Sequence, residues 1–123
     1  MTQERLSLGK RGESLAVDLL KAMKYRILER NYRCPLGEMD IIAQEKGSLV
    51  FVEVKTRATK DFGGPAAAVH ERKQRQLSRV ALMYLNRKKI RDVAARFDVV
   101  AVDLSGSKPR IEVLQNAFDL LYE

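Results

Sequence analysis

The stretch Gly37–Thr56, GEMDIIAQEKGSLVFVEVKT, sets Glu38, Asp40, Glu53 and Lys55 among Met, Ile, Val and Phe. Three carboxylates and one ammonium are costly in a sequence built for burial, because a buried ion must be paired or coordinated. If Lys46 and Gly47 form a two-residue hairpin loop, the register opposes Asp40 to Glu53 and Glu38 to Lys55. Met39 then meets Val54, Ile41 meets Val52 and Ala43 meets Val50, so one face is apolar and the charges collect at one end of the other. That second face carries Ile42 opposite Phe51, and the first helix is expected to cover it. Cβ atoms of opposed residues lie only about 4.5–5.5 Å apart. Carboxylates that close share a proton, bind a cation or move apart.

A divalent metal resolves the conflict. Mg²⁺ takes oxygen ligands at about 2.0–2.1 Å and commonly uses one or two carboxylates, with water and substrate phosphate completing its shell. Asp40 and Glu53 suit that role, and Mn²⁺ is an alternative ion. Lys55, on the same face, suits holding an attacking water or stabilising charge on a phosphate. The residues leave open a structural ion cluster at a sheet end, with Glu38–Lys55 and Glu53–Arg57 as surface pairs. A one-residue bulge would break the register.

These strands need elements to position them. Leu8, Gly12, Leu15, Ala16, Leu19, Leu20 and Met23 recur at helical spacing and predict a first helix from about Leu6 to Met23. Tyr25–Tyr32 reads as a strand of poor alternation, hence near an edge, and RCPLGE as a loop with Pro35 and Gly37. Strands over about Glu38–Glu45 and Ser48–Thr56 follow, then the loop DFGGP and a second helix over Ala66–Arg87. ARFDVVAVDL predicts a fourth strand, RIEVL a short fifth, and NAFDLLYE a terminal helical turn. The pattern is an α/β sandwich with a mixed sheet, in which the long second helix crosses over to make the fourth strand parallel to the third.

The 123 residues suit a single domain over 1–123, and 46% hydrophobic with 32% charged residues is the composition of a folded chain. No run approaches the roughly 18 apolar residues of a membrane span, and MTQERLSLGKRGE lacks the apolar core of a secretory signal, so a cytoplasmic location is expected. The lone Cys34 forms no internal disulfide and has no local base to make it a nucleophile; it reads as a bystander. A net charge of +7 favours polyanionic partners, with nucleic acid ahead of an acidic membrane surface.

Gly12-Glu13, GEMDII at 37–42, LVFVEVKTR at 49–57, FGGPAAAV at 62–69 and RFDVVAV at 96–102 resemble the YraN-like bacterial proteins. That group is similar in turn to the Holliday-junction-resolvase branch of the PD-(D/E)XK nucleases. The resemblance spans nearly the whole chain. It implies the restriction-endonuclease-like αβββαβ core, a central mixed sheet flanked by helices, and nominates Asp40, Glu53 and Lys55 as the nuclease signature. It further implies that the backbone carbonyl of Val54 ligates metal and that Glu13 points toward the site. Read on its own, Glu13 lies at the margin of the apolar stripe, where an exposed helix glutamate is the plain reading. Met39 stands where the motif's name has proline, a departure that removes no ligand.

The second helix carries Arg72, Lys73 and Arg75 near its start and Arg87, Lys88 and Lys89 at its end. Cations at a helix C-terminus offset its dipole, whereas those at the N-terminus oppose it, so Arg72, Lys73 and Arg75 are the better candidates for phosphate contacts. A solvated face is the alternative. Gly63 and Gly64 suit a loop at the mouth of the site whose N–H groups approach phosphate, or a plain turn into the helix. By analogy Gln76 touches the site. His70 is a candidate base made unnecessary by metal and lysine, and Asp98 is expected to make a structural ion pair, with Arg96 or another arginine, and not to bind metal.

The leading expectation is a Mg²⁺-dependent DNA endonuclease acting on branched or otherwise structured DNA. Asp40 and Glu53 hold the metal, Lys55 orients the water, and Glu13 assists through water or a second ion. A nucleic-acid-binding module of the same fold without turnover, and a structural partner protein, are the competing classes. DNA is the expected partner, RNA is left open, no membrane is involved, and paired incisions would call for a homodimer.

Overall fold

The computed structural model describes residues 3–59 and 69–120, with side chains from Ser7 onward. Its elements are α1 (Gln3–Ala22), β1 (Arg26–Cys34), β2 (Gly37–Glu45), β3 (Ser48–Arg57), α2 (Glu71–Arg87), β4 (Ala95–Asp103) and β5 (Arg110–Phe118). The five strands form one sheet in the order of the chain, with β1 at the expected edge. β3 and β4 run parallel and the other neighbours antiparallel. This is an α/β fold with a mixed sheet, consistent with a restriction-endonuclease-like core.

Because α2 links two parallel strands it must cross one face of the sheet, which leaves the other to α1. Ala16, Val17 and Leu20 of α1 pack on Ile41, Ala43, Val50, Val52, Val100 and Val102. Leu77, Val80, Ala81 and Tyr84, spaced along one stripe of α2, pack on Ile42, Leu49, Phe51 and Phe97. The face bearing Ile42 and Phe51 is therefore covered by α2, not by the first helix as expected. α1 in turn approaches β3 closely at Gly12, where any side chain would collide with that of Thr56.

Lys46 and Gly47 both take positive φ, 50° and 83°, the geometry that lets a two-residue loop match strand twist. The expected register holds from Glu45↔Ser48 to Ile41↔Val52 and stops there. Beyond that point β2 continues against β1 as far as Gly37↔Cys34, while β3 continues against β4 as far as Arg57↔Asp103. The two strands part, so the expected pairs Glu38–Lys55 and Met39–Val54 do not form. Glu38 instead opposes Arg33 and accepts from its Nε at 3.1 Å.

Pleat alternation also breaks at this point. Ile41 belongs to the α1 layer, but Met39, two residues away, is wholly buried in the α2 layer. On β1, Arg30 reaches toward α1 whereas Tyr32 stacks edge-on against Tyr84 of α2, 5.1 Å between ring centres. Between them Asn31 has φ 53°. Asn tolerates this left-handed conformation better than most residues.

Two terminal expectations are corrected. Asn116–Phe118, read as helical, complete β5: Asn116 takes φ 53° and donates its N–H to Asp98 at 2.9 Å, and Phe118 stacks on Phe97 with centres 4.6 Å apart. α2 begins at Glu71, not Ala66, with His70 as its N-cap residue. Residues 66–68, with Gly63 and Gly64, lie outside the described residues.

Candidate active site

Asp40 is the first β2 residue past the end of the β2–β3 ladder, and Glu53 is its counterpart on β3. Asp40 Oδ2 accepts the Val54 N–H at 2.7 Å, so the backbone of one strand fixes the carboxylate of the other. The Glu53 carboxyl lies against Asp40 and hydrogen-bonds to it. Burial, then the Asp40 charge, then that hydrogen bond push Glu53 up to about 8, against the opposing pull of Lys73 and Lys55. Burial and the neighbouring Asp40 charge thus favour the protonated form of the Glu53 carboxyl.

Lys55, two residues along β3, is half-buried and within electrostatic reach of Glu53. Lys73 comes from another element, the first turn of α2, and its Nζ is 3.7 Å from Glu53 Oε2. Arg75 is ion-paired to Glu71 one turn away at 2.8 Å, and Arg72 is exposed. Of the three cations offered for phosphate, Lys73 reaches the carboxylate pair, while Arg75 and Arg72 lie along the same end of α2.

Glu13 is placed beside the fork. Its Oε1 accepts from Arg30 Nε at 3.0 Å and Asn31 Nδ2 at 3.1 Å, and its side chain is largely buried. Asn31 occupies the gap in the β1–β2 ladder between Arg30↔Ile41 and Tyr32↔Met39, the position that register sets opposite Asp40. Glu13 therefore braces the strand next to Asp40.

Gln76 lies over the turn before β2, its Nε2 3.5 Å from the Leu36 carbonyl oxygen, where Gly37 at φ 144° leaves room for it. His70 is exposed at the start of α2, and its carbonyl accepts the Gln74 N–H at 2.9 Å. Cys34 packs at the margin of the α2 layer. Asp98 makes the expected ion pair with Arg96, at 2.9 Å, and is completely buried. Arg96 also bonds Glu45 at 3.0 Å, and the Tyr25 hydroxyl donates to Asp98 at 2.7 Å. Arg57, offered above as a partner for Glu53, pairs with Asp103 at 3.1 Å.

The donor set at the fork suits a hard cation. Two half-buried carboxyls lying against one another present only oxygen donors. Among the described residues no group of three or more His, Cys, Asp or Glu side chains is arranged to hold a metal. The protein's share would be Asp40, Glu53 and a main-chain carbonyl, a count that matches Mg²⁺ better than a closed protein cage. The sequence did not reveal Lys73 as a partner of Glu53. Its placement opposite the helix dipole was the available signal.

The profile of the Uncharacterised protein family UPF0102 matches residues 12–102. A UPF0102 protein of Geobacter metallireducens is 49% identical over 122 residues, covering 99% of this chain and 100% of its own. Another, of Geobacter sulfurreducens, is 54% identical over 116 residues, covering 94% and 91%. A third, of Syntrophus aciditrophicus, is 48% identical over 122 residues, covering 99% and 95%.

Proposed function

We propose that this chain, which belongs to the uncharacterised protein family UPF0102, is a cytoplasmic Mg²⁺-dependent endonuclease that hydrolyses phosphodiester bonds in DNA, with branched or otherwise structured DNA as its substrate class. The observation that carries this reading is the Asp40–Glu53 pair, brought together where β2 and β3 part and flanked by lysines from two elements. Asp40, Glu53 and the Val54 carbonyl would hold the ion. When bound, a divalent ion supplies Lewis-acid polarisation of phosphate and makes a water more acidic. The Val54 N–H keeps Asp40 aimed, which lowers the cost of ordering the site on binding. Lys55 donates to the attacking water or to a phosphate oxygen as negative charge builds there. Water adds to phosphorus, and the ester oxygen opposite it leaves and takes up a proton.

A module that only bound nucleic acid would gain nothing from two carboxylates beside phosphate. Among the described residues no helix is long and apolar enough to cross a membrane. Purified protein incubated with branched, flapped, single-stranded and duplex DNA, in Mg²⁺, Mn²⁺ or EDTA, tests the reading. Cleavage with either metal and none in EDTA is expected; intact substrates throughout would leave a binding module.

A further inference from the structure

Lys73 is an unusual cation in this chain. It stands in the first turn of α2, where the helix dipole disfavours positive charge. Its ammonium turns back to the sheet and meets Glu53 at 3.7 Å, a distance at the long end of ion-pair contact, while the lysine side chain remains 45% exposed. A single-point contact from a half-exposed flexible stem is readily exchanged. Glu53 is the same carboxylate that the candidate metal site requires.

We propose that Lys73 and a divalent cation compete for Glu53, and that the lysine displaced by the cation becomes a ligand of substrate phosphate. The inference rests on reading Asp40 and Glu53 as a metal site. A doubly charged ion at the carboxylate pair repels an ammonium a few ångströms away, and α2 keeps the displaced side chain at the edge of the same site. A phosphodiester drawn to the cation then offers Lys73 a new anionic partner. Metal loading and phosphate affinity are thereby linked through one side chain, while Lys55, rooted in β3, stays with the site throughout.

The test uses Lys73→Met, which keeps length and helix propensity, and Lys73→Arg, which keeps charge. Mn²⁺ affinity is measured by calorimetry without DNA, and affinity for a branched DNA is measured in Ca²⁺ and in EDTA. Lys73→Met should bind Mn²⁺ roughly fivefold to tenfold more tightly than wild type, since one nearby charge is removed. It should also lose most of the gain in DNA affinity that Ca²⁺ gives wild type. Lys73→Arg should resemble wild type in both. Unchanged or weaker Mn²⁺ binding by Lys73→Met, or an undiminished Ca²⁺ gain, overturns the exchange even if wild type binds metal. If wild type takes up no Mn²⁺, the metal-site reading fails first and the exchange with it.

Discussion

The Val54 N–H donates to Asp40 Oδ2 at 2.7 Å, just beyond the Ile41↔Val52 pair where the backbone ladder between their strands ends. A side chain has replaced the main-chain partner that β3 would otherwise seek on β2. The cost of opening the sheet is offset by the same carboxylate that faces Glu53, so structure and candidate chemistry meet in one group.

Asp40→Asn separates the two. Its amide oxygen still accepts from Val54, and its NH₂ can donate to Glu53, so the fold in EDTA should be no less stable than wild type. Asp40→Ala orphans the Val54 N–H and should cost about 1–3 kcal/mol. Both should lose Mg²⁺ stabilisation and cleavage, because neither balances the ion's charge. Thermal unfolding with EDTA and with Mg²⁺ checks this. A clearly destabilised Asp40→Asn in EDTA, with no Mg²⁺ effect on wild type, would make the carboxylate structural.

The raised Glu53 carboxyl gives a pH signature of fixed sign. Its unfolded value is near 4.5 and its folded value about 8, so the folded protein holds the proton more tightly. The contribution is fully present below about pH 4.5 and is lost as pH rises through about 8. In EDTA, the urea midpoint should fall between pH 5 and pH 8.5, and Glu53→Gln should flatten that decline. Equal slopes for the two proteins would mean that Glu53 is not the group concerned.

The hairpin was legible because Lys46-Gly47 and the alternation around it specify a register locally, and extending that register one pair past its observed end at Ile41↔Val52 sets Asp40 opposite Glu53. The end of the ladder was not legible. It depends on β1 and β4 drawing β2 and β3 apart, contacts distant in sequence. Met39 alternates normally on paper, but the turn-over at Asn31 and Asp40 moves it to the α2 layer. NAFDLLYE reads as helix because nothing local signals that buried Asp98 needs the Asn116 N–H.

The cluster around Arg96 is predicted to matter for folding and not for the site. Asp98 and Glu45 are both buried and share this one guanidinium, with Tyr25 bridging Asp98 and Gln115. Arg96→Met leaves two buried carboxylates short of a partner and should cost about 3–5 kcal/mol. Tyr25→Phe removes one donor to Asp98 and should cost about 1–2 kcal/mol. Urea unfolding measures both. Loss of metal affinity by Tyr25→Phe at a temperature where it is folded would contradict the assignment.

Glu13 and Asn31 offer the sharpest separation of bracing from chemistry. The carboxylate of Glu13 accepts from Asn31, whose φ of 53° turns β1 over beside Asp40. Asn31→Gly tolerates that φ and should keep Mn²⁺ affinity near wild type. Asn31→Val places a β-branched residue in left-handed backbone, at about 1–2 kcal/mol, and should also weaken Mn²⁺ binding as Asp40 loses its position. Glu13→Gln keeps an oxygen for both Arg30 and Asn31, so Mn²⁺ affinity should survive it and fall in Glu13→Leu. Calorimetry on folded protein decides between the roles. If Glu13→Gln abolishes metal binding while its unfolding is unchanged, the carboxylate charge acts on the ion directly, and bracing is not its function.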